Sequence, residues 1–238
     1  MCRVMGKNLK RFLISGASSQ IGIELIKKLL INNYEVIGLY NNNEKKLSIL
    51  KRKYKKLKTY QINFENNSIN NYKFSKINCF ISLQGYLNNS NNERMDENDL
   101  IKHINVNYIK NLIIINKIIP YMKKKKYGKI FLSTSVGTKF GGGKNTLYYS
   151  ISKFLNEYHP SYLRELIRYN ISINTISIGL VNTSIHKKIK SKDLNKRIKL
   201  TPAKKIMSVS EISQAIYDLI VTETNIISNQ IVNLTNGE

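Results

Sequence analysis

Short apolar runs alternate with amphipathic stretches along the whole chain. Arg11 to Ser15 reads as a buried strand, and the amphipathic stretch after it reads as a helix ending near Ile31. Further strands are predicted at Tyr34 to Tyr40, Leu57 to Ile62, Ile77 to Leu83, Gly128 to Thr134, Ile171 to Ile178 and Gln230 to Leu234. Between them the pattern predicts a Lys-rich helix from about Asn43, a long helix over Glu97 to Lys125, a helix carrying Tyr149 and Lys153, and one over about Ser210 to Val221. Strands alternating with helices predict an α/β fold, a doubly wound parallel sheet in a single domain over residues 1–238. No internal repeat, low-complexity linker or domain break is visible.

The chain is 42% hydrophobic over 238 residues, enough for one sizeable core. Cys2 and Cys79 are its two cysteines, one in a tail and one in an apolar strand. That suits a reducing, cytoplasmic setting without disulfides. His103, His159 and His186 show no ligand spacing, so no metal is assigned. The formal net charge of +24 would suit nucleic acid. Lys, Asn and Ile are abundant everywhere, however, and no nucleic-acid motif is present, so the charge reads as a compositional bias. The basic stretch Met1 to Lys10 lacks the apolar run of a secretory signal. The most apolar helical run, Leu112 to Ile119, is interrupted by Asn116 and Lys117 and stops at Pro120, too short and polar for a bilayer.

Two stretches carry chemistry. Gly16-Ala17-Ser18-Ser19-Gln20-Ile21-Gly22 joins a strand to a helix N-terminus, where backbone N–H groups and the helix dipole face an anion. The alternative is an ordinary turn with an N-cap serine. Tyr149 and Lys153, four apart, share one helix face. An ammonium beside a phenol lowers its pKa and equips it for proton transfer. The alternative is a core Tyr and a solvated Lys. Tyr148 is rotated off the Lys153 face and reads as packing. Ser133 and Ser135 lie on one side of their strand, and Ser135 sits at its carboxyl end, where α/β sites form.

In order along the chain, these motifs resemble those of the short-chain dehydrogenase/reductase family over nearly its full length. The glycine turn Ser15-Gly16-Ala17-Ser18-Ser19-Gln20-Ile21-Gly22 stands for T-G-x-x-x-G-x-G, and Ser82-Leu83-Gln84-Gly85 for N-N-A-G. Ser133-Thr134-Ser135 matches the strand exit I-S-S. Tyr149-Ser150-Ile151-Ser152-Lys153 matches Y-x-A-S-K, and Ile178-Gly179-Leu180-Val181-Asn182-Thr183 matches P-G-x-x-x-T. The closing Asn229 to Gly237 looks like the family's last strand and Gly tail. Gln20 replaces the middle glycine, Leu83 and Gln84 replace polar and small residues, and Ile178 replaces a proline.

The resemblance implies a Rossmann-type sheet of order 3-2-1-4-5-6-7 and hydride transfer between a nicotinamide cofactor and a carbonyl or alcohol. It implies Tyr149 as acid/base and Lys153 as its activator and ribose ligand. Ser135 would polarise the carbonyl, and Asn107 would hold a water that passes protons to Lys153. Cofactor contacts are expected from Gly16, Ser18, Ser19, Gln20, Ile21, Gly22, Tyr40, Asn41, Asn63, Gly85, Gly179, Val181 and Thr183, besides Tyr149 and Lys153. The second strand ends Leu39-Tyr40-Asn41-Asn42 without an acid, with Lys45 and Lys46 just beyond, so NADP(H) is favoured and NAD(H) stays open.

From Thr183 to Lys205, the expected substrate loop, nine of twenty-three residues are Lys or Arg, against 39 of 238 overall. That enrichment suits an anionic or carrier-bound substrate, or simply a solvated helix. A 3-oxoacyl thioester reductase is the role implied first. A sugar or nucleotide-sugar oxidoreductase and a non-catalytic dinucleotide-binding regulator are the alternatives. Pairing into a homodimer or homotetramer is expected through Ile113, Ile114, Ile118, Leu155, Tyr162 and Leu166.

Overall fold

The computed structural model describes residues 10–66, 68–90, 93–143, 145–189 and 193–238. The basic stretch at residues 1–9 with Cys2, the end of the Asn-rich loop at 91–92, and residues 190–192 of the basic segment lie outside the described residues. Seven parallel strands form one sheet: β1 (Arg11–Ser15), β2 (Glu35–Tyr40), β3 (Leu57–Gln61), β4 (Cys79–Ser82), β5 (Gly128–Ser135), β6 (Ile171–Ile178) and β7 (Ile231–Leu234). Their order is β3-β2-β1-β4-β5-β6-β7, as the resemblance implies. The order reverses between β1 and β4, which opens a crevice at the strands' carboxyl ends.

Alternation along each strand feeds two cores, one on either face of the sheet. Phe12 and Ile14 of β1 and Phe131 of β5 pack with helices α1 (Gln20–Ile31), α2 (Lys45–Lys53) and α8 (Val209–Val221). Leu13 of β1 with Ile130 and Leu132 of β5 pack on the opposite face. Ser19 caps α1 by accepting the Gly22 N–H, and Ser208 with Glu211 forms a capping box on α8.

The long helix is continuous but not uniform. It runs as α3 (Glu97–Ile104), a π-helical turn (Asn105–Ile109) and α4 (Lys110–Lys125). Pro120 lies inside α4 on its exposed side, so its missing N–H does not end the helix. The helix bearing Tyr149 is short. It comprises α5 (Leu147–Phe154) and a 3-10 turn, and the chain is extended at Tyr158 before Pro160. Only then does α6 (Ser161–Arg164) begin, after Pro160, which is itself extended and disfavours helical backbone at His159 before it. A further helix, α7 (Leu194–Leu200), lies within the basic segment.

The pairing surface expected from the sequence needs correction. Ile114, Ile118 and Leu166 are wholly buried in the second core and face the sheet. Tyr162 is exposed, as the expectation requires, and Phe154 and Tyr158 face outward beside it. Replacing Ile118 by Ala should therefore cost about 2–5 kcal/mol of stability through an unfilled core cavity. Urea unfolding checks this, and a loss below about 1 kcal/mol would contradict the core placement.

Candidate active site

The carboxyl ends of β1, β4, β5 and β6 surround one cleft of about 600 Å³. Its first wall is the turn after β1. Gly16 has φ +70°, and a Cβ there would meet the Leu83 carbonyl carbon at 2.5 Å, so the turn closes only on glycine. Ser18, Ser19, Gln20 and Ile21 follow it along the wall. Gly22 stands behind them: a Cβ there would meet the Gly16 oxygen at 2.5 Å, so it packs the helix rather than lining the cleft.

The second wall carries the chemistry. β4 leads to Gly85, and a Cβ on Gly85 would lie 3.8 Å from Lys153 Cε and 4.0 Å from the Tyr149 hydroxyl. Glycine thus keeps open the space over both groups. Lys153 is buried, and its Nζ donates to Gln84 O (2.9 Å), Ser133 O (3.2 Å) and Ser133 Oγ (3.0 Å). Burial pushes the Lys153 ammonium down to about 7. The Tyr149 hydroxyl is pushed up to about 12, also by burial. This corrects the expectation that the ammonium lowers the phenol. Lys153 is spent on carbonyl and hydroxyl oxygens and is itself desolvated, so burial dominates both groups.

The two serines divide the work. Ser133 holds Lys153, and Ser135 lines the cleft at the strand exit. The Ser135 oxygen accepts the Gly137 N–H (3.2 Å), which leaves its own proton to donate into the cleft. Tyr148 is buried, its hydroxyl accepting the Asp96 N–H at 2.5 Å.

Asn107 lies on the long helix as expected, with its polar groups taken by protein partners. It sits fully buried in the π-helical turn, its side chain clamping Tyr86 N (2.7 Å), Tyr86 O (2.9 Å) and Ser152 Oγ (2.8 Å). Its main-chain oxygen takes the side-chain amides of Asn111 (2.9 Å) and Asn156 (3.0 Å). Both lone pairs of that carbonyl are used, so it has none left for the expected water. Asn107 shapes the Tyr86 loop instead.

The third side is the segment after β6. Gly179, Val181 and Thr183 line the cleft, followed by Ser184, His186 and Lys188. Gln20 Oε1 accepts the Ser184 N–H (2.7 Å), joining the glycine turn to this segment. At the far end Asn41 lines the cleft, but two expected contacts do not. Tyr40 is buried in the first core with its hydroxyl on Glu44. Asn63 spends its Oδ1 on the Glu65 N–H (2.9 Å), and Phe64 and Glu65 take its place in the lining. The Glu65 carboxylate is paired with Lys102 at 3.0 Å.

A glycine turn on a helix N-terminus and a Tyr–Lys pair thus open on one cleft, and a family model of the short chain dehydrogenases matches residues 10–194. The chain belongs to the short chain dehydrogenase family. It is accordingly an NAD(P)-dependent oxidoreductase. A 3-oxoacyl-[acyl-carrier-protein] reductase FabG of Buchnera aphidicola subsp. Baizongia pistaciae is 27% identical over 225 residues, covering 94% of this chain and 85% of the relative. The FabG of Buchnera aphidicola subsp. Schizaphis graminum is 26% identical over 239 residues, covering 96% of each. Among solved structures, ElxO with NADP bound superposes with a TM-score of 0.81 at 23% identity, covering 96% of this chain and 98% of that one. A short chain dehydrogenase/reductase family protein reaches 0.84 at 15% identity, covering 98% of each. At these identities the structures share the fold.

Several functional features of this dehydrogenase escape sequence reasoning. Ser133 as a Lys153 ligand was readable only from its strand side. His103, buried between Tyr86 and Tyr148, accepts the Asn88 N–H (3.2 Å) and steadies the loop over the cleft. Its sequence signal was Asp99, one helical turn earlier.

The Lys153 shift makes stability depend on pH. Its folded value is lowered, so the unfolded chain binds the extra proton between about pH 7 and about pH 10.4. Wild type should gain stability relative to Lys153→Met as pH rises through that window, with a constant difference below it. Paired thermal melts check this, and a difference that stays flat from about pH 7 to about pH 10 would contradict a buried, desolvated amine.

Proposed function

We propose that this dehydrogenase reduces a 3-oxoacyl thioester to the corresponding 3-hydroxyacyl thioester with NADPH. One observation carries the reaction type: Ser135, Tyr149 and Lys153 share a cleft with the glycine turn and with Thr183. The residues suit a dinucleotide. The cleft volume falls in the usual range for cofactor sites, about 300–1,000 Å³. Ser18, Ser19 and the α1 N-terminus face an anion, and glycine at 85 leaves a flat opening over the Tyr–Lys pair. Gly16, Gln20, Ile21, Asn41, Gly179 and Val181 would complete its bed.

When bound, the cofactor supplies a hydride to the carbonyl carbon. Ser135 donates a hydrogen bond to the carbonyl oxygen and fixes its direction. Tyr149 transfers its proton to that oxygen as the C–O double bond is reduced, giving the alcohol. A hydroxyl pushed up to about 12 holds this proton throughout the neutral range. The tyrosinate that remains favours protonation of the Lys153 amine, which burial alone holds at about 7.

NADPH is favoured over NADH because the Asn41 to Asn43 corner carries no carboxylate, and Glu65 nearby is already neutralised by Lys102. The ElxO structure of the same fold, with NADP bound, supports the same choice. The thioester rests on those relatives and on His186 and Lys188 at the cleft, which suit an anionic carrier. The buried thiol of Cys79 suits a cytoplasmic setting. Phe154, Tyr158 and Tyr162, exposed together, would form a homodimer or homotetramer contact.

Acetoacetyl thioester should be reduced with NADPH, and NADPH should bind more tightly than NADH. Tyr149→Phe should lower kcat by about a thousandfold with NADPH affinity kept. Steady-state rates and fluorescence titrations check both. Near-normal turnover by the Phe variant would overturn the role of Tyr149. Activity confined to sugar or nucleotide-sugar substrates would overturn the thioester, and binding without turnover across a carbonyl and alcohol panel would overturn catalysis altogether.

A further inference from the structure

Gln84 stands at the exit of β4, where the family pattern has a small residue. It is 5% exposed, in a hole lined by polar groups. Its Oε1 accepts from Ser15 Oγ and from Ser82 Oγ (3.1 Å). Its Nε2 donates to Asn111 Oδ1 (2.5 Å) and to Val106 O (3.4 Å). Ser82 Oγ has one proton and also lies 2.8 Å from Asn111 Oδ1, so it is shared between the two amides; both N–H bonds of Gln84 are engaged and Ser15 fills its Oε1, which gives the side chain one orientation.

The partners explain why an amide fits there. The π-helical turn Asn105–Ile109 disturbs the regular hydrogen-bond ladder and leaves main-chain oxygens to be satisfied by side chains. Val106 O meets Gln84, and Asn107 O meets Asn111 and Asn156. Asn111 touches both sets, so β4 and the long helix are bolted together through it.

The main-chain oxygen of Gln84 is one of the acceptors of Lys153 Nζ (2.9 Å). A buried ammonium needs acceptors aimed at it, and Ser133 supplies the others. We infer that Gln84 is a positioning residue for Lys153: its amide, fixed on β1, β4 and the π-helical turn, aims its own carbonyl at the ammonium beside Tyr149. Tyr149 is the titratable group facing the same space, and no charged side chain contributes to the Lys153 shift. The inference rests on the catalytic reading of Lys153 and Tyr149, and adds how the amine is held.

The test is the titration of Lys153 followed by NMR on protein carrying 13C-labelled lysine, with Lys153→Met assigning the signal. Losing an aimed acceptor disfavours the charged amine, so Gln84→Met should lower the Lys153 midpoint by about one pH unit. Its kcat should fall about tenfold while NADPH affinity changes less than about threefold. Asn111→Ala, which removes the amide's anchor but keeps Gln84, should move the midpoint the same way and decides the matter if Gln84→Met does not fold. Unshifted midpoints overturn the inference, whatever happens to stability. Absence of turnover in wild type would instead strike the catalytic reading, and the titration would still decide the positioning role.

Discussion

A positive charge kept out of water under the ends of two parallel strands is the constraint on which the site depends. The Lys153 amine leaves α5 and ends against the carbonyls of Gln84 and Ser133 and the Ser133 hydroxyl. Those oxygens come from the exits of β4 and β5, strands adjacent in the sheet. An amine so placed is tolerable only if the strands hold register and their exits stay fixed. The register is set by apolar alternation into two cores, and the β4 exit by the polar cluster around Gln84 and Asn111. Packing and chemistry therefore meet at one point.

The opposite side of the cleft is held by lighter ties. Gln20 reaches from the glycine turn to the Ser184 backbone, and Asn89 donates to Lys188 O (2.6 Å). Arg197 on α7 packs over the Phe140 ring, 5.7 Å from its centre, and pairs with Glu238.

Most of the fold was legible because both cores obey period-two and period-3.6 patterns. The strand positions, the glycine turn and the Tyr149–Lys153 face all follow from such local signals. The failures have local causes as well. Tyr40 is a strand-end aromatic on the same face of β2 as Val36, so alternation carries it into the first core. Asn63 was diverted by a short-range turn with Glu65. Ile114 and Ile118 face the sheet because α4 follows a π-helical turn, which rotates every later residue relative to a regular helix. Gln84 reads from the sequence only as a departure from the family pattern, since its partnership with Asn111, 27 residues on, leaves no periodic trace.

The central claim is that one cleft brings a dinucleotide's reactive end over Tyr149 and Lys153. Its most direct test is a crystal structure of the protein with NADPH bound. The nicotinamide ring should lie against Gly85, within reach of the Tyr149 hydroxyl, with the pyrophosphate at the Ser18–Ser19 turn. A dinucleotide ordered with its nicotinamide away from Tyr149, or bound outside this cleft, would contradict it.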